Sequence, residues 1–404
     1  MRMKFNKSGQ LLLVSAASLL VAGLVTACST LTVDFVFVTS SKAAGTNNYG
    51  EVDVFEVNSE SGFMRQIPTS PFPSGGRDPV AEAVSTDYKN LYVVNQDDNS
   101  IVQFVIGNDG KLYPQNTVNT PGIYPLAVAV SGSNLYVLDT YQPLPTCSTA
   151  APCSGSVAVF PIAAASGSTP SGILGSPAAN GNLNYWPLNL PGKPNDVLLP
   201  TGITVLASGA DIYVSAYDST SATGYVFGFS ASSSGTLTPL NGGVPFAAGI
   251  YPSAIASDPS SQYVYVTDSG MGVVIGYSVQ SGVLSPLSGS PFPAGNQPSA
   301  VVVDPAGGMA FVANALDSTV TAYTTNSGAL TRAGSFTTGL QPVAIGIDPS
   351  SKHFLYTANF LGNNLSGFEL SSVDGPLLNT QNSPYTANAQ PTAVAAIPHG
   401  TPQK

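Results

Sequence analysis

The phrase "QPSAVVVDPAGGMAFVANALDSTVTAY", Gln297 to Tyr323, is written again from Gln341 as "QPVAIGIDPSSKHFLYTANFLGNNLSGF". An internal repeat constrains a fold more than any composition does, because each copy forms one unit that buries its apolar face on the next. A Pro followed two residues on by Ala or Gly, then by alternating small and β-branched residues, recurs seven times: at Pro79, Pro125, Pro200, Pro252, Pro298, Pro342 and Pro391. A strand of the "LYVVN" kind also recurs seven times, at Val36–Ser40, Leu91–Asn95, Leu135–Asp139, Ile212–Ala216, Val264–Asp268, Ala310–Asn314 and Leu355–Asn359. A third strand type follows ("SIVQFVI", "GYVFGFS", "TVTAY", "NLSGFEL"). Gly turns at Gly62, Gly110, Gly235, Gly282, Gly328 and Gly375 then lead to a fourth, outer segment.

Four short strands per unit, punctuated by Gly and Asp-Pro turns, predict a blade of antiparallel sheet, and a series of such units predicts a β-propeller. The order of the pieces predicts how the ring closes. The first repeat, from near Val33, lacks a Pro-led strand before it, and the last Pro-led strand, "PTAVAAI" from Pro391, lacks an "LYV" strand after it. The expected fold is therefore all-β: a seven-bladed propeller of four-stranded antiparallel blades over residues 34–398, closed by pairing of the C-terminal strand with the N-terminal strands. Closure removes exposed sheet edges.

Within the Pro-led strand the second and fourth residues after Pro are mostly Ala or Gly and the third and fifth mostly Val or Ile. Alternation puts these sets on opposite faces, so one face is crowded and the other packs between blades. Asp258-Pro259, Asp304-Pro305 and Asp348-Pro349 begin the turn to the second strand. Glu82 breaks the pattern. It stands three after Pro79, where the other repeats have Val128, Ile203, Ile255, Val301, Ile345 and Val394. A carboxylate there must be paired or neutral. Arg77 lies two before the same Pro, and the readings are a structural ion pair or a water-filled axis on one side and a functional acid with its partner on the other.

Chain direction sends the loops before each Pro and after each "YVxN" strand to one rim, and the Asp-Pro and Gly turns to the other. The first rim is expected to gather Arg77, Asp78, Tyr124, Tyr251, Gln297 and Gln341 with Asn95, Asp97, Asp98, Asp139, Asp268, Asn314 and Asn359. Such a mouth suits a polar small molecule or a peptide, although Asn and Asp also serve as strand-ending turn residues. The third repeat carries two insertions expected to reach this rim. One surrounds Cys147 and Cys153; the other holds the only Trp, Trp186, beside Tyr185. Long loops on a rigid scaffold often carry function, so Trp186 is read either as a binding platform or as a pin for its loop.

The chain opens with basic Arg2, Lys4 and Lys7, the apolar run "LLLVSAASLLVAGLVTA" and Cys28. Residues 1–27 read as an export signal, and "VTAC" as a lipoprotein processing site with lipid on Cys28; a plain secretory signal and an uncleaved anchor are the alternatives. Residues 28–33 would be a short tether and 399–404 a tail. The tether meets the propeller on the Asp-Pro side, so that rim would face the membrane and the candidate binding rim would look outward from the cell envelope. In an oxidising compartment the remaining Cys147 and Cys153 suit a disulfide-closed loop; a thiol metal site is the weaker alternative, with no histidine nearby. A net charge of −10 without a Lys/Arg cluster excludes nucleic acid as a partner. No motif calls for a cofactor or metal, and a monomer is expected.

The Pro-led strands, the Asp-Pro turns and the "YVAN"-like strands resemble the seven-bladed lactonase family, which includes 6-phosphogluconolactonase-like and muconate-lactonising proteins, and more loosely the YVTN-repeat surface proteins. The resemblance covers nearly all of the chain beyond the export signal. It implies a propeller and lactone hydrolysis, with a His directly after a repeat Pro and Arg and acidic residues on the same rim. Here the residue after each Pro is Val80, Leu126, Thr201, Ser253, Ser299, Val343 or Thr392, and the two histidines are His353 and His399. Asp97-Asp98 is similar to the family's acidic loop, with Asn99 where an Arg is expected. No GxSxG elbow is present, so a Ser-His-Asp relay has no footing.

Three readings follow. The first is an exported, lipid-anchored propeller binding a small polar ligand, glycan or protein through Arg77, Asn95, Asp98, Asp139, Trp186, Asp268, Asn314 and Asn359. The second is a lactone hydrolase of the resembled family using Glu82 and Arg77 in place of the histidine. The third is a structural envelope protein.

Overall fold

The computed structural model describes residues 33–44, 47–143, 147, 153–167, 170–349, 354–371 and 376–398. Cys28, His353 and His399 lie outside them. Seven antiparallel sheets form. Blade 1 joins Val33–Ala44, Tyr49–Asn58 and Met64–Gln66 to Pro391–Ile397, which pairs with the first strand from Phe35↔Ile397 to Ser40↔Pro391. This is the closure expected from the unfinished first and last repeats.

The inner strands of the other blades are Pro79–Val84 (blade 2), Ile123–Ser131 (3), Leu198–Val205 (4), Pro252–Ser257 (5), Pro298–Val303 (6) and Pro342–Ile347 (7). Each packs on the next in cyclic order, and the closing strand sits between those of blades 7 and 2. The cores lie between blades. Val36, Val38 and Phe55 of blade 1 pack on Phe354, Tyr356 and Ala358 of blade 7, and six further clusters of this kind complete the ring.

The small residue four after each Pro has a specific cause. It lies opposite the large aromatic of the second strand: Ala83↔Tyr92, Ala129↔Tyr136, Thr204↔Tyr213, Ala256↔Tyr265, Val302↔Phe311, Gly346↔Tyr356 and Ala395↔Phe37. All seven aromatics are fully buried, so a large neighbour on that face would overpack the interblade layer.

One feature escaped the sequence pattern. In every blade the residue after the Pro is an unpaired bulge, as in Pro79↔Asn95 followed by Ala81↔Val94. The seven bulged residues are Val80, Leu126, Thr201, Ser253, Ser299, Val343 and Thr392. A bulge bends its strand and re-aims a side chain. Here three of them stitch blade to blade: Ser253 Oγ donates to Pro298 O at 2.5 Å, Ser299 Oγ to Pro342 O at 2.7 Å and Thr392 Oγ1 to Pro79 O at 2.8 Å.

Blade 3 departs from expectation. Trp186 does not stand in a rim loop. Trp186–Pro187 is the outer strand of that blade, paired to Ser156–Val157, and the indole is buried, 4% exposed, against Leu138, Val157, Leu188 and Leu198. It pins the segment and offers no binding face. Cys147 and Cys153 are joined in a disulfide, with Cα atoms 5.3 Å apart.

Candidate active site at the propeller mouth

The residue before each inner-strand Pro and the loop after each second strand meet at one end of the ring. Gln96 N donates to Asp78 O, Ala315 N to Gln297 O and Phe360 N to Gln341 O, each at 2.9 Å. The pre-Pro residue lies in the left-handed region in five blades: Asp78, Tyr124, Gln297, Gln341 and Gln390, with φ between 51° and 62°. Recurrence with unrelated side chains makes this a property of the fold rather than local strain at a site.

The ring of Asn and Asp at the strand ends is fully buried, which corrects its expected role in ligand contact. Asp268 accepts from Ile250 N (2.6 Å), Tyr251 N (3.2 Å), Gly270 N (2.9 Å) and Met271 N (2.9 Å). Asn314 accepts from Gly295 N at 2.9 Å and Asp139 from Gly122 N at 3.0 Å. Asn359 Nδ2 donates to Asn364 Oδ1 at 2.8 Å, and Asn95 Nδ2 to Ser74 O at 3.5 Å. Asp268, Asn314, Asp139 and Asn95 thus satisfy loop backbone that would otherwise be orphaned, and all five side chains are buried. Burial pushes the Asp139 carboxyl up to about 7.

Glu82 and Arg77 are not brought together. Both Glu82 carboxyl oxygens are buried without a hydrogen-bond partner. Burial pushes the group up to about 8, opposed by the backbone N–H of Ala395 in the closing strand, which lies short of hydrogen-bonding geometry. Burial thus favours the neutral form of Glu82, which is lodged between blade 2 and the closing strand. An ion pair would have kept it charged, and Arg77 is engaged elsewhere.

Arg77 stands at the mouth with its side chain 51% exposed, on Asp98. Its backbone N–H donates to Asp98 Oδ2 and its Nε to Asp98 Oδ1, both at 2.7 Å, and Nη2 reaches Asp97 O at 3.3 Å. Partial burial favours the neutral Asp98 carboxyl, but the Arg77 hydrogen bonds outweigh it and hold the group below the usual aspartate range. Asp78, next in the chain and half-buried, is raised by burial and then by the charge of Asp97.

Asp78 was legible in the sequence as an exception. The six other pre-Pro residues are Tyr124, Leu199, Tyr251, Gln297, Gln341 and Gln390, none of them acidic. A fixed guanidinium and, at the next position in the chain, a half-buried carboxyl of raised proton affinity are the two kinds of group that stabilise an oxyanion and accept a proton from water. Asn99, where an Arg was expected, accepts from Tyr124 N at 2.7 Å and ties blade 2 to blade 3. Among the described residues no three His, Cys, Asp or Glu side chains converge as a metal site would require.

Comparison with known proteins is consistent with this architecture. A family profile described as "Lactonase, 7-bladed beta-propeller" matches residues 47–144 and 252–400. No curated protein matches the chain in sequence. Among solved structures, a putative 6-phosphogluconolactonase from Bacteroides fragilis superposes with a TM-score of 0.68 at 18% identity, over 91% of this chain and 99% of that one. The Pseudomonas aeruginosa periplasmic gluconolactonase superposes with a TM-score of 0.68 at 17% identity, over 91% and 100%. A putative 6-phosphogluconolactonase from Bacteroides uniformis gives a TM-score of 0.66 at 18% identity, over 90% and 99%. At such identities the likeness establishes the fold.

Proposed function

The chain belongs to the lactonase family of seven-bladed β-propellers, and from that premise we propose that it is a lactone hydrolase whose site is the charged sector of the mouth around Arg77 and Asp78. Water adds to the lactone carbonyl, the ring C–O bond breaks, and a hydroxy acid leaves. Asp78 takes the proton from water and returns it to the departing alkoxide; Arg77, oriented by Asp98, stabilises the oxyanion.

The observation that supports this assignment is the succession, at the mouth, of a guanidinium clamped by Asp98 and a half-buried carboxyl at the one pre-Pro position that is acidic. It replaces the pairing of Arg77 with Glu82 expected from sequence, because Glu82 is shut away from water where it stands. Family membership favours hydrolysis over simple rim binding, and burial of Asn95, Asp139, Asp268, Asn314, Asn359 and Trp186 leaves only Arg77 and Asp98 of the residues that a rim-binding role was to use.

The test is turnover of a panel of γ- and δ-lactones. Asp78→Asn is expected to lower kcat about 100-fold, the lower range for loss of a positioned base, while Glu82→Gln stays within a few-fold of wild type. Absence of turnover across the panel, or full activity in Asp78→Asn, would overturn the assignment.

Export and lipidation belong to the same proposal, supported by the sequence before Cys28. Cys28→Ser is expected to release the protein from the membrane fraction; a soluble wild type would sink the anchor.

A further inference from the structure

The mouth is chemically divided. Leu316, Leu340 and Leu361 are 70%, 61% and 61% exposed, the three highest values among the large hydrophobic side chains of the described residues. Ile250, Tyr251 and Met271 are exposed on the same rim. Isolated exposed apolar side chains are ordinary; a contiguous set is not.

Hydrogen bonds show that these loops are contiguous. Ile250, Tyr251 and Met271 share the Asp268 carboxylate. Ala294 N donates to Gly272 O at 3.0 Å and Leu316 N to Asn296 O at 3.3 Å. Thr338 N donates to Ser318 O at 2.9 Å, and Gly362 N to Leu340 O at 3.0 Å. The loops that carry these apolar side chains thus form one continuous arc over blades 5 to 7, in which Asn296 and Asp317 are paired with each other.

The arc occupies the positions that are charged in blade 2. Arg77, Ile250 and Leu340 each stand two residues before an inner-strand Pro. Asp97, Leu316 and Leu361 each stand two residues after the buried strand-ending Asn. The same rim therefore presents a guanidinium with carboxylates in blade 2 and three leucines in blades 6 and 7, where the one carboxylate, Asp317, is engaged by Asn296, and buried side chains hold each loop from beneath.

We infer that the arc is the subsite for an apolar substituent, so that the substrate is an amphipathic lactone bearing an alkyl or acyl chain rather than a sugar lactone. This rests on the lactone-hydrolase reading above. The ring is processed at Arg77 and Asp78 while the chain lies over Leu316, Leu340 and Leu361. An anionic membrane does not fit the arc: the loops carry no Lys or Arg, and the chain is acidic.

The experiment compares δ-dodecalactone with δ-valerolactone on the full-length protein and on L316S/L340S/L361S. Wild type is expected to show kcat/KM at least 10-fold higher for δ-dodecalactone. The triple variant is expected to abolish that preference with δ-valerolactone turnover unchanged, and its exposed positions leave folding intact by circular dichroism. Equal preference in both proteins, or a wild-type preference for glucono-δ-lactone, overturns the subsite while leaving the hydrolase standing.

If wild type hydrolyses no lactone, the hydrolase reading falls, and calorimetric binding of δ-dodecalactone decides the subsite separately. Binding lost in the triple variant supports it, and no binding to wild type overturns it. A concentration-dependent dimer that the triple variant abolishes would assign the arc to self-association and overturn the subsite.

Discussion

Asp98 holds Arg77 twice, accepting the backbone N–H and the guanidinium Nε of the same residue at 2.7 Å each. Four blades on, Asp317 holds Asn296 in the same way, accepting its backbone N–H and its Nδ2 at 2.7 Å each. The clamp belongs to the fold; the positive charge is what blade 2 adds.

Removal of the clamp therefore has different consequences in the two blades. Asp98→Ala is expected to lower kcat/KM on lactones at least 10-fold with almost no change in Tm, because exposed ion pairs contribute little stability. Asp317→Ala is expected to leave turnover unchanged. Paired kinetics and thermal unfolding check this, and equal kinetic losses in both variants would make the clamp purely structural.

Asp268 gathers four backbone N–H groups while fully buried. Removing the carboxylate leaves these donors unsatisfied, and hydrogen bonds to charged groups contribute more than neutral ones. Asp268→Ala is expected to cost about 2–4 kcal/mol in denaturant unfolding, with Asp268→Asn intermediate.

Stability is expected to fall as pH rises toward 8. The folded-state pKa of Glu82 is raised from 4.5 to about 8, so between those values the folded chain binds the extra proton and loses that advantage as pH increases. Asp139, raised to about 7, and Asp53, raised to about 6, act in the same direction. Glu82→Val, which restores the residue class of the other blades, is expected to raise Tm at pH 8 and flatten the profile between pH 5 and 8. An unchanged slope would show that Glu82 finds a partner in solution.

The interblade tyrosines separate into two sets. Tyr265 Oη donates to Gly328 O at 2.9 Å and Tyr92 Oη to Gly172 O at 2.9 Å, whereas the hydroxyls of Tyr213 and Tyr356 are buried without a partner. Tyr356→Phe and Tyr213→Phe are expected to be neutral or stabilising, as Phe37 and Phe311 already are at the equivalent positions. Tyr265→Phe is expected to cost about 1 kcal/mol. Thermal unfolding of the three variants checks the order.

The blade count, the closing strand and the faces of the inner strands were legible because each copy repeats the same packing demand, seen in the Ala83↔Tyr92 and Gly346↔Tyr356 pairs. The site was less so. Asn and Asp at strand ends look alike whether they face a ligand or cap a loop, and only the buried hydrogen bonds of Asp268 and Asn314 distinguish the two. Trp186, remote in sequence from any repeat strand, gave no sign that it would supply blade 3's outer edge.

Sequence alone determined the ring, since periodicity in side-chain size is a local property that every copy carries. Tertiary structure decided which charges meet. Arg77 lies five residues from Glu82 and twenty-one from Asp98, yet it pairs with the latter, because an antiparallel strand turns Glu82 into the blade seam and brings the next loop back to the mouth. Pairing across folded-back strands depends on register, which the spacing of residues along one strand does not contain.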